Sequence, residues 1–164
     1  MIVSDSSSIV LLAKTNTLYA VLKGNVIHIP EKVYDESVKA ALEKGHPDAY
    51  IINEAVMQNH IKIIKAKPET AERIQRLFGI SRGENETVSV AIDQNAELVL
   101  SDDKKCIRVC ASLGIPYATT PDIIVALYRK KRLSKENAKK SLENLRRIGW
   151  YKKDIIDQRM EVIL

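Results

Sequence analysis

The strongest constraint on this chain is an alternation of two hydrophobic periods. Short runs rich in Val and Ile recur at IVS (2–4), NVIHI (25–29), IKII (61–64), ELVL (97–100) and PYA (116–118). Amphipathic helical patterns fill the intervals 7–23 (broken near Asn16), 31–44, 48–59, 68–78, 84–95 and 104–113. Strands alternating with helices predict a largely parallel sheet with helices on both faces. The strands are short and mostly apolar, as expected when both faces are covered. The fold class is therefore expected to be α/β, a three-layer α/β/α sandwich around a central parallel sheet of four to five strands. After residue 120 the pattern becomes all helical, at 121–131, 135–148 and 153–161. Ser134 suits an N-cap and Gly149 a C′ position, with Ala138, Leu142 and Leu145 as the inward stripe. This divides the chain into one domain over 1–150 and a helical tail, 151–164, packed on it.

A chain of 164 residues that is 45% hydrophobic can bury one substantial core. No apolar run approaches the roughly 20 residues that span a bilayer. The first residues lack the basic and apolar regions of a secretory signal, so the expected location is cytoplasmic, with no membrane partner. The only cysteines, Cys106 and Cys110, lie four apart in a predicted helix. No His or further Cys stands nearby to complete a zinc shell, so they read as reduced thiols. The net charge of +5 is unevenly spread: Arg129 to Lys153 holds eleven Lys and Arg against two Glu, a local +9 that leaves −4 elsewhere. A mildly acidic body with a basic helical region suits a polyanion partner. Lys130, Lys131, Arg132, Arg146 and Arg147 are its expected nucleic-acid contacts.

In open parallel sheets, sites form beyond the carboxyl ends of the strands. Asp5 follows the first strand, and Asp102 and Asp103 follow ELVLS. Helices add further acids. The spacing 84, 88, 91, 92 puts Glu84 in line with the buried stripe Val88, Ala91 and Ile92, with Glu86 nearer solvent. The spacing 33, 36, 37, 40 sets Glu36 at the border of an apolar face. Any one of these acids reads equally well as a helix cap or a surface charge. As a cluster they repel one another unless a cation neutralises them. Hard oxygen ligands suit Mg²⁺ or Mn²⁺.

Three segments then carry a resemblance: VSDSSSIVLLAK, IPEKVYDESV and GENETVSVAIDQNAELVLSDDKKCIRVCASLGIP. Together, over roughly residues 1–150, they resemble the PIN domain, a metal-dependent ribonuclease fold found in many VapC-type toxins. The G-E-x-E helix start, the D-D pair and the tail TTPDIIVALYRKKRLS are similar to one PIN-like subgroup. The resemblance implies four catalytic acids, at Asp5, Glu36, Glu84 and Asp102, with metal held by Asp5, Glu84 and Asp102. Ser7 matches a supporting hydroxyl, and Glu86 and Asp103 are supporting candidates. The third acid is Glu where many family members have Asp. The implied activity is Mg²⁺- or Mn²⁺-dependent endoribonuclease cleavage of single-stranded RNA, as the toxin of a toxin–antitoxin pair or in RNA processing. The implied partners are single-stranded RNA, a small antitoxin and a second copy in a homodimer.

Two other readings compete. An aspartyl phosphoacceptor after strand one, as in dehalogenase-type phosphatases, wants a second Asp two residues on, where Ser7 stands. A receiver domain wants its phosphorylated Asp on a later strand. The remaining rival is a PIN-like module that binds RNA or protein without cutting. His28, His46 and His60 read as structural or surface residues. Trp150 either anchors the last helix or offers a base-stacking face.

Overall fold

The computed structural model describes residues 1–164. β1 (Ile2–Ser4) leads into α1 (Ser6–Lys14) and the short α2 (Leu18–Leu22). Asn16 separates the two helices with a left-handed φ of 57°, a conformation Asn tolerates. β2 (Ile27–Pro30) is followed by α3 (Glu31–Tyr34), a π-helical turn Asp35–Lys39 and α4 (Ala40–Glu43). α5 (Pro47–Met57), β3 (Ile61–Ile64), α6 (Pro68–Phe78) and α7 (Arg82–Asp93) come next. β4 (Leu98–Leu100), α8 (Lys104–Leu113) and β5 (Tyr117–Ala118) complete the sheet region. The chain ends in α9 (Thr120–Arg129), α10 (Lys135–Ile148) and α11 (Lys153–Ile163).

The sheet order is β3-β2-β1-β4-β5, and every pairing is parallel. The expected three-layer α/β/α architecture is thus the observed one. On one face, Ile9 and Leu12 of α1, Ile52 of α5 and Ile123 of α9 pack on Ile27, Ile29 and Leu100. On the other, Ile74 of α6, Val88 of α7 and Val109 of α8 pack on Val3 and Val99. Both faces are covered, which is why the strands read as apolar runs. Cys106 and Cys110 are free thiols buried in this second layer.

One element differs from expectation. The sequence predicts a single α-helix over 31–44, and the structure widens it into a π turn in the middle. Val33 and Val38 are both fully buried in the same core. Five residues apart, they would point about 140° apart on an α-helix. The wider turn brings them to one face, and Glu36 lies on it.

The C-terminal helices share a third core. Ile156 and Ile163 of α11 pack with Leu142 and Leu145 of α10, Ile124 of α9 and Leu11 of α1. Ala138, Leu142 and Leu145 form the inward stripe of α10, and the Ser141 hydroxyl donates to the Thr15 carbonyl at 2.9 Å. Ser134 caps α10, accepting from the Asn137 amide at 3.1 Å, and Gly149 ends it at φ 78°. No helix is long and apolar enough to cross a membrane.

Candidate active site

β1 and β4 are neighbours, so their carboxyl ends meet. Ser4 pairs with Leu100, and the Asp5 amide donates to the Leu100 carbonyl at 3.0 Å. Asp5 and Ser101 therefore face each other. Asp5 caps α1: its Oδ1 accepts from the Ser8 amide at 3.0 Å and from the Ser7 hydroxyl at 2.7 Å. Its Oδ2 accepts from the Ser101 hydroxyl. The cap reading and the site reading of Asp5 are compatible, because the same carboxylate lines a cleft. Only 2% of Asp5 is exposed. Burial pushes its carboxyl up to about 6, against the pull of the Ser101, Ser8 and Ser7 bonds and with a smaller push from Asp102.

Glu84 sits in the first turn of α7. Ser81 and Glu84 have capping-box spacing, yet the Ser81 hydroxyl makes no cap bond and Glu84 lines the cleft instead. Partial burial raises its pKa, then repulsion from Asp103 and, more weakly, Glu36. Glu36, on the π turn, accepts from the Ser6 hydroxyl at 3.2 Å. Gly83 permits this approach, since a Cβ there would stand 3.0 Å from Glu36 Oε2 and 3.4 Å from Val33 Cγ2. The glycine of the G-E-x-E start is thus explained by close packing of α7 on the π turn.

The Asp pair after β4 splits. Asp102 is turned inward, with 5% of its surface exposed. Its Oδ2 accepts from the Ser8 and Thr120 hydroxyls, each at 2.6 Å. Its Oδ1 accepts from the Thr120 amide at 2.7 Å and from the Tyr151 hydroxyl. Burial and the neighbouring Asp102 charge hold the Tyr151 phenol protonated. Four bonds fill the acceptor capacity of a carboxylate, and Asp102 does not line the cleft. Asp103 does. Its Oδ1 caps α8 on the Cys106 amide at 2.9 Å, and no bond engages its Oδ2. Ser7 joins the two strand ends, accepting from the Asp102 amide at 2.9 Å while it donates to Asp5.

The cleft holds about 460 Å³ and brings together Asp5, Ser7, Glu36, Glu84 and Asp103. Lys14, Arg82 and Trp150 share its lining. None of its four acids is in an ion pair with Lys or Arg. The family model described as a PIN domain matches residues 1–162. The chain belongs to the PIN domain family. PIN domains are generally nucleases, and acids from separate segments gathered at the strand ends suit that class. A search of curated proteins finds no match.

In this PIN domain no three Asp, Glu, His or Cys side chains stand close enough to chelate a metal ion directly. The donor set still fits a hydrated hard cation. Mg²⁺ is commonly held by one or two carboxylates, with waters and substrate phosphate completing its shell. Asp5 keeps one acceptor position, and Glu84, Glu36 and Asp103 each keep an unengaged oxygen.

Other expected residues lie outside the cleft of the PIN domain. Glu86 accepts from the Lys32 amide at 3.2 Å, tying α7 to α3. Lys130, Lys131 and Arg132 are exposed near the end of α9, and Arg147 is exposed on α10. Arg146 pairs with Asp157 and, at 3.4 Å, with Glu143, so it links α10 to α11. The sequence reading does not single out Ser8, Ser101, Thr120, Lys14 or Arg82. A signal for Ser101 exists: it stands opposite Asp5 once β1 and β4 are known to pair in this register.

Proposed function

We propose that this PIN domain is a Mg²⁺- or Mn²⁺-dependent endoribonuclease that hydrolyses single-stranded RNA. The observation that carries this reading is the cleft itself, where four carboxylates from four segments meet without a Lys or Arg ion-paired to any of them. Asp5, Glu84 and Asp103 would hold the cation, with Glu36 reaching it directly or through water. Asp103 takes the place that the sequence assigns to Asp102. When bound, the cation would neutralise phosphodiester charge and acidify water.

The chain's own groups supply the rest. Lys14 and Arg82 lie where they can contact backbone phosphates flanking the scissile bond. Glu36, which lines the cleft with one oxygen unengaged, would take the proton from the attacking water. Asp102 acts as a positioning residue, holding the β4 end against α1, α9 and Tyr151. The basic stretch through Arg129–Lys153 would steer RNA to the molecule. The family resemblance supports a cytoplasmic location, a homodimer and a small antitoxin that holds it in check; light scattering tests the dimer and co-purification the antitoxin.

A second reading, an RNA-binding module without turnover, is favoured by one observation: no three carboxylates already form a metal shell. One assay separates the two. Mixed-sequence single-stranded RNA is incubated with Mg²⁺, Mn²⁺ or EDTA and wild type, Asp5→Asn, Glu84→Gln or Asp103→Asn. The nuclease reading expects cleavage that EDTA abolishes and that each variant lowers at least a hundredfold. RNA retained in a gel shift with no cleavage under any metal selects the binding module.

A further inference from the structure

Trp150 is the sole tryptophan of the chain. α10 ends at Gly149, whose left-handed φ of 78° reverses the chain and returns Trp150 toward the strand ends. Its indole Nε1 donates to the Asp102 carbonyl at 3.1 Å. That bond ties the ring to the end of β4, one residue from Asp103. Yet 53% of Trp150 is exposed, and the exposed residue lines the acidic cleft.

A tryptophan that only anchors a helix buries its ring and satisfies its N–H. Here the N–H is satisfied and much of the side chain is left open. It is the only aromatic on a wall otherwise made of carboxylates, hydroxyls, Lys14, Arg82 and a few aliphatic residues. A fixed indole beside a carboxylate-lined cleft of about 460 Å³ lacks one thing, a flat apolar partner that arrives with a phosphate. An unpaired nucleotide supplies both.

We propose that Trp150 stacks on an unpaired base of the RNA whose scissile phosphate enters the cleft. This rests on the ribonuclease reading above. Every base offers a π-face, so such a platform tolerates any sequence while demanding a base free of its own stack. Trp150 thereby selects single-stranded over duplex RNA, and it sets the distance between the stacked nucleotide and the acids.

The lone tryptophan makes the test direct. The wild-type chain in Mg²⁺ buffer is mixed with a short single-stranded RNA, and tryptophan emission is read before turnover. A parallel titration follows the anisotropy of the same RNA carrying an end label. The control is an abasic strand of equal length and charge. The RNA is expected to quench Trp150. The abasic strand is expected to leave its emission unchanged and to bind about ten- to a hundredfold more weakly. Trp150→Phe, which keeps a ring, is expected to bind within about threefold of wild type, and Trp150→Leu to bind at least about tenfold more weakly. RNA that binds without changing the emission, or no tighter than the abasic strand, overturns the stacking role and leaves the nuclease reading standing. Binding of neither strand overturns both. The wild-type fluorescence decides the matter even if a Trp150 variant fails to fold.

Discussion

At the residue scale, Asp5 carries a buried charge that no side-chain cation offsets. Its folded pKa of about 6 lies above the ordinary 3.8, so the folded state holds the proton more tightly than the unfolded chain. Ionising Asp5 therefore destabilises the fold progressively as pH rises from about 4 to 6, and the full penalty persists above that window. Asp5→Asn removes the charge while keeping an oxygen for the Ser8 amide. The variant is expected to be more stable than wild type by about 1–3 kcal/mol at about pH 8, with the gain vanishing below about pH 4. Urea unfolding at the two pH values reads this directly. A variant less stable than wild type at both would show that the hydrogen bonds outweigh the buried charge. Adding Mg²⁺ should close the gap, because a cation bound only by the folded wild type stabilises it. The same residue scale shows where sequence reading stops. Adjacent residues of an extended chain face opposite sides, so only one of Asp102 and Asp103 can share the side of Asp5. Counting by twos from the pair Val3 and Val99 reaches Asp5 on one strand and Ser101, then Asp103, on the next. That count needs the strand pairing, which a lone sequence does not reveal. Glu84 was legible because its parity is helical and its stripe lies within one segment.

At the element scale, α10 is bounded by two caps of different consequence. Ser134 fills an N-terminal amide and touches nothing in the cleft. Gly149 ends the helix and delivers Trp150 and Tyr151 to Asp102. Ser134→Ala and Gly149→Ala are each expected to cost about 1 kcal/mol, one through a lost cap bond and one through a left-handed alanine. Only Gly149→Ala is expected to shift Trp150 emission and lower RNA cleavage, by about tenfold. Equal effects of the two variants on cleavage would mean that α10 matters only through global stability. Both caps were legible, because Ser and Gly bracket a strong 3.6-residue pattern. The π turn at Asp35–Lys39 was not. It answers a packing demand, the joint burial of Val33 and Val38, which an α-helical period cannot display.

At the scale of the whole molecule, the question is whether the last helix belongs to the same cooperative unit as the sheet. The end of α10 at Gly149 invites a boundary near residue 150. Packing argues against it. Ile156 is fully buried, and its cluster reaches Leu11 of α1, whose neighbouring residues form the cleft wall. Tyr151 and Trp150 bind the Asp102 carboxylate and carbonyl, so the tail and the strand ends share hydrogen bonds as well as apolar area. Ile156→Ala removes buried methyl groups from a residue that does not line the cleft. The loss is expected to lie between about 2 and 4 kcal/mol. If the tail and sheet unfold together, tryptophan emission and far-ultraviolet circular dichroism shift to one lower urea midpoint, with the slope unchanged. If the tail is a separate unit, emission moves first and the dichroism midpoint stays near wild type. The shared core predicts the single transition. On that footing, substitutions in α11 should weaken RNA cleavage in proportion to the population unfolded, and at temperatures where the variant is fully folded its cleavage should match wild type.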